Sequence, residues 1–372
     1  MFTAATPQCR HQQISVAFAH AASLGDPVLV VDQKASFAAL LRLCAAEHDI
    51  AVLYVTGLQA RRASDLTPGK AKTDRIDAQV IAEFGRTHAH RLPTIQMPAE
   101  LETQLRLLTG HDEDLRCDFN RTINRLRDLL TQHAPALEQV LGRRIIATGV
   151  LAVFERWGNP QTLTRARHAT IAATIAEHNP RLADRTATAI KTAARETQPQ
   201  PGSETAGELI AHLAEHAATL ITRRATIARQ LTVLAETHDD YELLISIPGM
   251  GPKTVVRFIA EVGDINKFPT GGHLASYAGL APVNRQSGTG LNTVSKDRSG
   301  NHRLKNALFL SAFVASRYDT QAAAHYQRQK AAGKRHNAAV IAVARKRCDL
   351  IHAILTNREH YRSSSQICPK AA

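Results

Sequence analysis

Two carboxylates three residues apart open a helical stretch of this 372-residue chain: Asp74 and Asp77, in AKTDRIDAQVIAEF. At that spacing both project from one helical face. Close carboxylates repel unless a cation lies between them, and a hard oxygen donor set favours Mg2+. Taken alone, such a pair is usually a solvated helix face. Asp32 adds weight because it ends the apolar run VLVVD, where a strand-end acid sits at the carboxyl edge of a sheet. One strand-end acid plus two helix acids is the layout of a ribonuclease-H-type metal site.

Two further constellations lie in the last third. PGMGPKT, residues 248–254, places a Gly-x-Gly turn between apolar helical segments. That is a helix-hairpin-helix signature. Gly249 and Gly251 would let the backbone approach a phosphate, the N–H groups opening the next helix would bind it, and Lys253 would add charge. Such a contact gives affinity without sequence choice. A plain helix corner, with glycine there for steric reasons, is the alternative. In LASYAGLAPVNRQSGTG, residues 274–290, Ser287 lies in a Gly-rich stretch beside Arg285, with Lys296 and Arg298 downstream. A serine nucleophile for phosphodiester transfer needs exposure, nearby cations and a pliable backbone. On spacing alone Ser276, Tyr277, Ser295 and Ser299 compete with it.

The elements that must position these residues follow from periodicity. VLVVD (28–32) and IAVLYV (50–55) read as strands, with the helical SFAALLRLCAAEH between them. A β-α-β unit makes the two strands parallel. A helix is predicted over about residues 73–87. From Ala99 to Leu141 apolar residues recur every three or four positions, predicting a long helix bent near Pro135. After the linker QPQPGSE, residues Ile210, Leu213, Ala217, Leu220, Ile227, Leu231 and Leu234 follow an a/d heptad interrupted by Arg224. That stripe suits either a coiled coil between copies or packing against the residue 100–141 helix of the same chain. The fold class is α/β plus mostly α: an α/β domain of ribonuclease-H type at 1–97, a helical coiled-coil region at 98–240, a helical domain with the hairpin and serine at 241–356, and a tail at 357–372.

Charge is distributed unevenly. From Pro248 onward there are 19 Lys and Arg against 6 Asp and Glu, whereas the first 247 residues hold 27 of each. The whole net charge of +13 thus falls in one third, the footprint expected for phosphate backbones. The five cysteines are scattered and form no C-x-x-C pair, which fits a reducing cytoplasm and excludes a structural zinc site. No apolar run approaches the roughly 18 residues of a membrane span.

The motifs occur together and in order: KTDRIDA, then SIPGMGPKTVVRFIAEVGDINKFPTGGHLASYAGLAP, then SGTG, then SKDRSGNHRLKNALF. This combination, over about residues 28–350, resembles the insertion-sequence one-ten family of transposases, the RuvC-like DEDD serine recombinases. The resemblance implies a four-acid site holding Mg2+, a serine that forms a covalent phosphoserine link to DNA, a noncoding bridge RNA that pairs with donor and target DNA, and a dimer or tetramer at work in the cytoplasm on the nucleoid. By position Asp32 matches the second acid, Asp74 and Asp77 the third and fourth, and Ser287 in R-Q-S-G the nucleophile. The family's first acid lies upstream on a Gly-x-Asp strand. Here 31 residues precede Asp32, the sole Asp among them is Asp26, and residues 11–24 read as a helix. An N-terminally truncated copy, or a misplaced start, is therefore expected. For such a copy a non-catalytic nucleic-acid binder is the competing function; a Holliday-junction nuclease would need four acids and no serine.

Overall fold

The computed structural model describes residues 7–33, 37–66, 73–95, 99–287, 291–296 and 300–362. They form two compact units divided between Ala99 and Glu100. The first unit contains α1 (Pro7–Leu24), β1 (Val28–Val31), α2 (Phe37–Glu47), β2 (Ala51–Tyr54), α3 (Gly57–Asp65) and α4 (Asp74–His88). β1 and β2 pair in parallel from Val28 opposite Ala51 to Val31 opposite Tyr54, as a β-α-β unit requires. A single antiparallel bridge joins Leu53 to Thr94 on the other side of β2.

Strand alternation sorts the apolar side chains onto two faces. Leu29, Val31, Val52 and Tyr54 pack with Phe18, Ala38 and Ala45, under α1 and α2. Val30, Leu53 and Val55 pack on the opposite face with Ala60 and Phe84, under α3 and α4. Gly85 allows α4 to lie on β1, since a Cβ there would stand 2.4 Å from Val30 Cγ2.

The second unit is helical except for one ribbon. Its helices are α5 (Glu100–His133), α6 (Pro135–Leu141), α7 (Thr148–Arg156), α8 (Pro160–Arg165), α9 (His168–Ala176), α10 (Ala183–Glu196), α11 (Ser203–Glu236), α12 (Tyr241–Ile245), α13 (Pro252–Val262) and α14 (Gly271–Tyr277). The ribbon of β3 (Pro282–Ser287) and β4 (Leu291–Lys296) follows, then α15 (His302–Tyr318), α16 (Thr320–Ala331) and α17 (His336–Asn357). The predicted break at Pro135 is present: Ala134 leaves the helical conformation and Pro135 starts α6, because a proline has no N–H to continue the ladder.

α5 and α11 each run for 34 residues, about 51 Å, and pack against each other antiparallel. The heptad residues Ile210, Ala217, Leu220, Ile227 and Leu231 are buried inside the chain. Of the two partners the heptad allowed, the structure supplies the helix of the same chain. Arg224, the polar interruption, donates from Nε and Nη2 to Asp112 of α5 at 2.8 and 3.2 Å. The two long helices feed two cores. One gathers Ile123, Leu126 and Leu130 with α6 to α10 and the first half of α11. The other gathers Leu105, Leu115, Leu220, Ile227 and Leu231 with α12 to α17. Among the described residues, no helix is long and apolar enough to cross a membrane.

Candidate active site and nucleic-acid interface

Asp32 directly follows β1 and is half-buried. Continuing the strand alternation by one residue puts it on the Val30 face, the face that α4 covers. Asp74 and Asp77 form the first turn of α4, where Thr73 caps the helix by accepting from Ile76 N. Acids in a first turn are favoured by the positive end of the helix dipole, so this placement also has a purely helical reason. The donor chemistry of the three carboxylates suits a hard divalent cation. Their oxygens do not converge: among the described residues, only His11, Cys44 and Glu47 form a trio of metal-type ligands within 4.8 Å. The helix geometry explains this. Asp77 lies eight residues from Gly85, about 12 Å along the axis from the contact with β1, while Asp32 is two residues past Val30. Residues 34–36 and 67–72, next to these acids in sequence, lie outside the described residues.

His11 and Glu47 already explain much of their own proximity, since His11 Nε2 lies 3.0 Å from Glu47 Oε2 in a hydrogen-bonding contact between α1 and α2. Burial and the Glu47 charge both raise the Cys44 thiol above its ordinary range.

Ser287 is the last residue of β3 and stands opposite Leu291 across the ribbon. By register, positions Arg285 and Ser287 fall on one face of the pleat and position Lys296 on the other. Residues 288–290, Arg298 and Ser299 lie outside the described residues. The roots of the ribbon are well defined. Gly279, at φ +65°, and Gly300 touch backbone to backbone, and a Cβ on Gly300 would stand 2.3 Å from Gly279 N. Asn301 N donates to Tyr277 O at 2.8 Å, and Lys305 Nζ donates to Gly279 O at 2.7 Å. Asn301 Nδ2 donates to Glu261 Oε2 at 2.7 Å, and Tyr277 OH donates to Glu261 O at 3.2 Å. Asn301 also caps α15 by accepting from Arg303 N and Leu304 N. One asparagine thus closes the arm and starts the helix behind it. Tyr277, a competitor for nucleophile on spacing, is engaged in this closure. Ser276 is exposed on α14 and Ser295 lies within β4.

The Gly-x-Gly turn does join two helices, α12 and α13. Its two glycines have different reasons. Gly249 has φ +84°, and a Cβ there would stand 2.5 Å from Ser311 O of α15. The steric alternative therefore accounts for Gly249. A Cβ on Gly251 would meet nothing within 4 Å, and Gly251 is the exposed N-cap of α13 without a side-chain cap. Pro252 has no N–H and Thr254 N donates to Gly251 O at 2.8 Å, so the N–H groups of Gly251 and Lys253 are the ones this helix start offers to an anion. Buried Arg347 holds the turn from behind, donating to Pro248 O at 2.6 Å and to Ser311 Oγ at 3.1 Å; burial lowers its pKa to about 10.

A transposase profile of the DEDD type matches residues 3–135, and the profile described as "Transposase IS116/IS110/IS902 family" matches residues 241–327. The "Insertion element IS110 uncharacterized 43.6 kDa protein" of Streptomyces coelicolor is 39% identical over 344 residues, covering 92% of this chain and 85% of that protein. The chain belongs to the IS110 family of transposases. The "Insertion element IS116 uncharacterized 44.8 kDa protein" of Streptomyces clavuligerus is 35% identical over 88% of this chain and 82% of its own length. The "Pilin gene-inverting protein" of Moraxella bovis is 36% identical over 115 residues, 30% of this chain and 36% of that protein.

The DEDD character of the first matched segment indicates use of a divalent metal by this transposase family. That segment contains Asp32, Asp74 and Asp77; the second contains the Gly-x-Gly turn, Ser287 and the whole arm closure. Lys253 of the transposase lines a cleft of about 650 Å³ between α5, α11, α13 and α15. Arg116, Arg224 and Arg257 line it too, against Asp112 and Glu113. A hydrogen bond from Arg116 holds the Glu113 carboxyl below its usual range, against an opposing effect of burial. Glu113 also pairs with Arg257 at 3.6 Å, while Lys253 has no acidic partner within 4.0 Å among the described residues.

Sequence reasoning missed the closure residues Glu261, Gly279, Gly300, Asn301 and Lys305. Their signal was present: the A-S-Y-A-G-L and S-G-N-H-R-L-K boxes flank the serine segment on both sides, each with one glycine. Two conformationally special segments bracketing a reactive one mark the two ends of a closed loop.

Proposed function

We propose that this transposase performs DNA strand cleavage and exchange for its insertion sequence through a covalent phosphoserine intermediate at Ser287, assisted by Mg2+ and guided by a noncoding bridge RNA. The observation that carries the reading is the closed arm. A ribbon anchored at Gly279, Gly300 and Asn301 presents Ser287 at the end of β3, next to its tip. A nucleophile must be delivered to a bulky duplex from a fixed base, and a clamped ribbon does that at low entropic cost. Ser287 Oγ would attack the phosphorus as the P–O bond to one neighbouring sugar oxygen breaks; the serine proton would pass through solvent to that oxygen, leaving a free hydroxyl end on the DNA. Arg285, two residues away on the same face of the ribbon, would offset charge on the phosphoryl oxygens. Asp32, Asp74 and Asp77 would hold Mg2+ once their carboxylates are drawn together, and the ion would supply charge neutralisation to a DNA phosphate. Gly251 and Lys253, at the open start of α13, would hold a DNA phosphate. Assembly of more than one copy would bring several arms to paired DNA ends.

The competing reading, a non-catalytic nucleic-acid binder, draws on the separation of the three carboxylates. One experiment distinguishes them. The purified chain, its co-purifying RNA and a labelled element-end DNA are incubated with Mg2+, and covalent protein–DNA adducts are resolved after denaturation. Adducts that vanish in Ser287→Ala, with DNA binding retained, support the serine mechanism. Adducts or strand transfer persisting in Ser287→Ala would remove it, and cleavage unaffected by Asp74→Ala would remove the acid site. Binding without cleavage by the unaltered chain would establish the competing reading.

A further inference from the structure

Residues 320–348 contain seven Lys and Arg and no Asp or Glu. This run builds α16, a tight turn through Gly333 at φ +82°, and most of α17. Two of the seven cations are accounted for. Arg347 is buried behind the Gly-x-Gly turn, and Arg345 pairs with Asp349 at 2.9 Å. The other five, Arg328, Lys330, Lys334, Arg335 and Lys346, are exposed, and none has an acidic partner within 4.0 Å among the described residues. Arg328 and Lys330 lie in the last turn of α16, where they also offset the negative end of that helix. Lys334 donates to the neutral Gln329 Oε1 at 2.5 Å, which leaves its charge unbalanced, and Arg335 and Lys346 have no such local reason.

The N-terminus of α17 adds an independent observation. Arg335 occupies the N-cap, no side chain caps the helix, and its first turn holds no acid. The N–H groups that begin this 22-residue helix therefore have no acceptor within it, and two cations stand beside them. A site with free donors, helix-dipole charge and flanking cations calls for an anion.

We propose that the α16–α17 hairpin is a docking surface for the phosphate backbone of duplex DNA, separate from the serine arm and the Gly-x-Gly turn. Size argues for a polymer over a small anion. Lys346 lies eleven residues beyond Arg335, about 16 Å along α17. A small anion would meet one end of this surface, whereas a duplex with a charge every ~1.7 Å of its axis would meet both. Surface chemistry argues for the duplex backbone over stacked single strands. The one Phe, Tyr or Trp of the two hairpin helices, Tyr326, is engaged internally, its OH 2.7 Å from His336 Nδ1, so these helices offer no row of rings for stacking bases. His325 lies among Lys346, Arg328 and Lys334, and its pKa is lowered by burial first and by these charges second. Cations from both helices thus converge around it. The inference rests on the DNA handling of the transposase family and not on the chemistry of Ser287. Most of this surface lies beyond residue 327, where the second family match ends.

The test measures binding of the full chain to random-sequence duplex DNA, and in parallel to an RNA duplex of equal length, as KCl is varied. K334Q/R335Q/K346Q is compared with R181Q/R185Q/R195Q, which removes the same charge from exposed positions on and beside α10. The expected result is a fall of about 2–3 in the slope of log affinity against log salt for the hairpin variant, since each lost phosphate contact is worth roughly 0.9 for a DNA duplex. The α10 variant should keep the original slope. A drop with DNA in the hairpin variant alone supports the docking surface. An unchanged slope with DNA overturns it, as does a drop confined to the RNA duplex or an equal drop in the two variants. Circular dichroism checks that both variants fold. Because binding is the readout, Ser287→Ala leaves it intact, so failure of the serine mechanism would not register as failure of this surface.

Discussion

Replacing Gly300 by alanine should unfasten the serine arm at its root. The added Cβ would stand 2.3 Å from Gly279 N, 2.4 Å from Gly279 Cα and 2.8 Å from Ala278 C. Comfortable carbon contacts begin near 3.5 Å, so the two segments must part by about 1 Å. All three atoms are backbone, and no rotamer change relieves the overlap. Separation stretches the Asn301 N to Tyr277 O bond and the Lys305 Nζ to Gly279 O bond. A neutral hydrogen bond contributes about 1 kcal/mol net and one to a charged donor about 1.5–3 kcal/mol, so their loss costs roughly 2–4 kcal/mol. That agrees with the ~1–3 kcal/mol typical of overpacking. The assay is amide hydrogen exchange of the full chain, read at Asn301, together with denaturant unfolding. Gly251→Ala is the control. Its Cβ meets nothing within 4 Å, so only the poorer N-cap preference of alanine counts, about 0.5–1 kcal/mol. Faster exchange at Asn301 in Gly300→Ala, absent in Gly251→Ala, is the expected outcome. If Gly300→Ala exchanges and unfolds like the original chain, the backbone contact does not hold the arm.

Two other consequences concern packing between distant segments. Arg224 and Asp112 are both largely shielded from solvent and joined by two hydrogen bonds; a double-mutant cycle with Arg224→Ala and Asp112→Ala should give a coupling of about 1–2 kcal/mol, and a coupling near zero would mean the pair does not hold α5 to α11. Burial pushes the Cys348 thiol up to about 12, and Cys44 is buried as well, whereas Cys117 is exposed. Because the thiolate is the reactive form, alkylation of the native chain near pH 8 should label Cys117 and spare Cys44 and Cys348 until denaturant is added. Labelling of native Cys348 at the rate of Cys117 would show that α17 does not pack as described.

Features set by neighbouring residues were legible before any coordinates. Four apolar residues ending at Val31 and four ending at Tyr54, with a helical period between them, dictate the parallel pair, because a crossover helix permits no other pairing. Proline chemistry alone placed the break before Pro135. The heptad in α11 showed which face would be buried, but not what would cover it. An a/d stripe buries equally well against a second copy or against a helix more than 100 residues earlier, and only the folded chain brings α5 to it.

The candidate sites divide along the same line. Residue types and spacing marked Asp74 with Asp77, Ser287 and the two glycines, and the basic excess of the last third, because charge and local spacing are properties of the string itself. The tertiary structure decided what surrounds each of these. Gly249 and Gly251 look alike in sequence, yet one is pinned by the passing backbone of α15 and the other faces open space. The three acids share a sheet face or a helix turn without their oxygens converging, because α4 crosses β1 at Gly85, far along the helix from its first turn. Gly279 and Gly300 stand 21 residues apart in the chain and become one contact at the root of the serine arm. What depends on backbone bonding and side-chain period was carried by the sequence; what depends on which distant segment passes within a few ångströms was settled only when the chain packed.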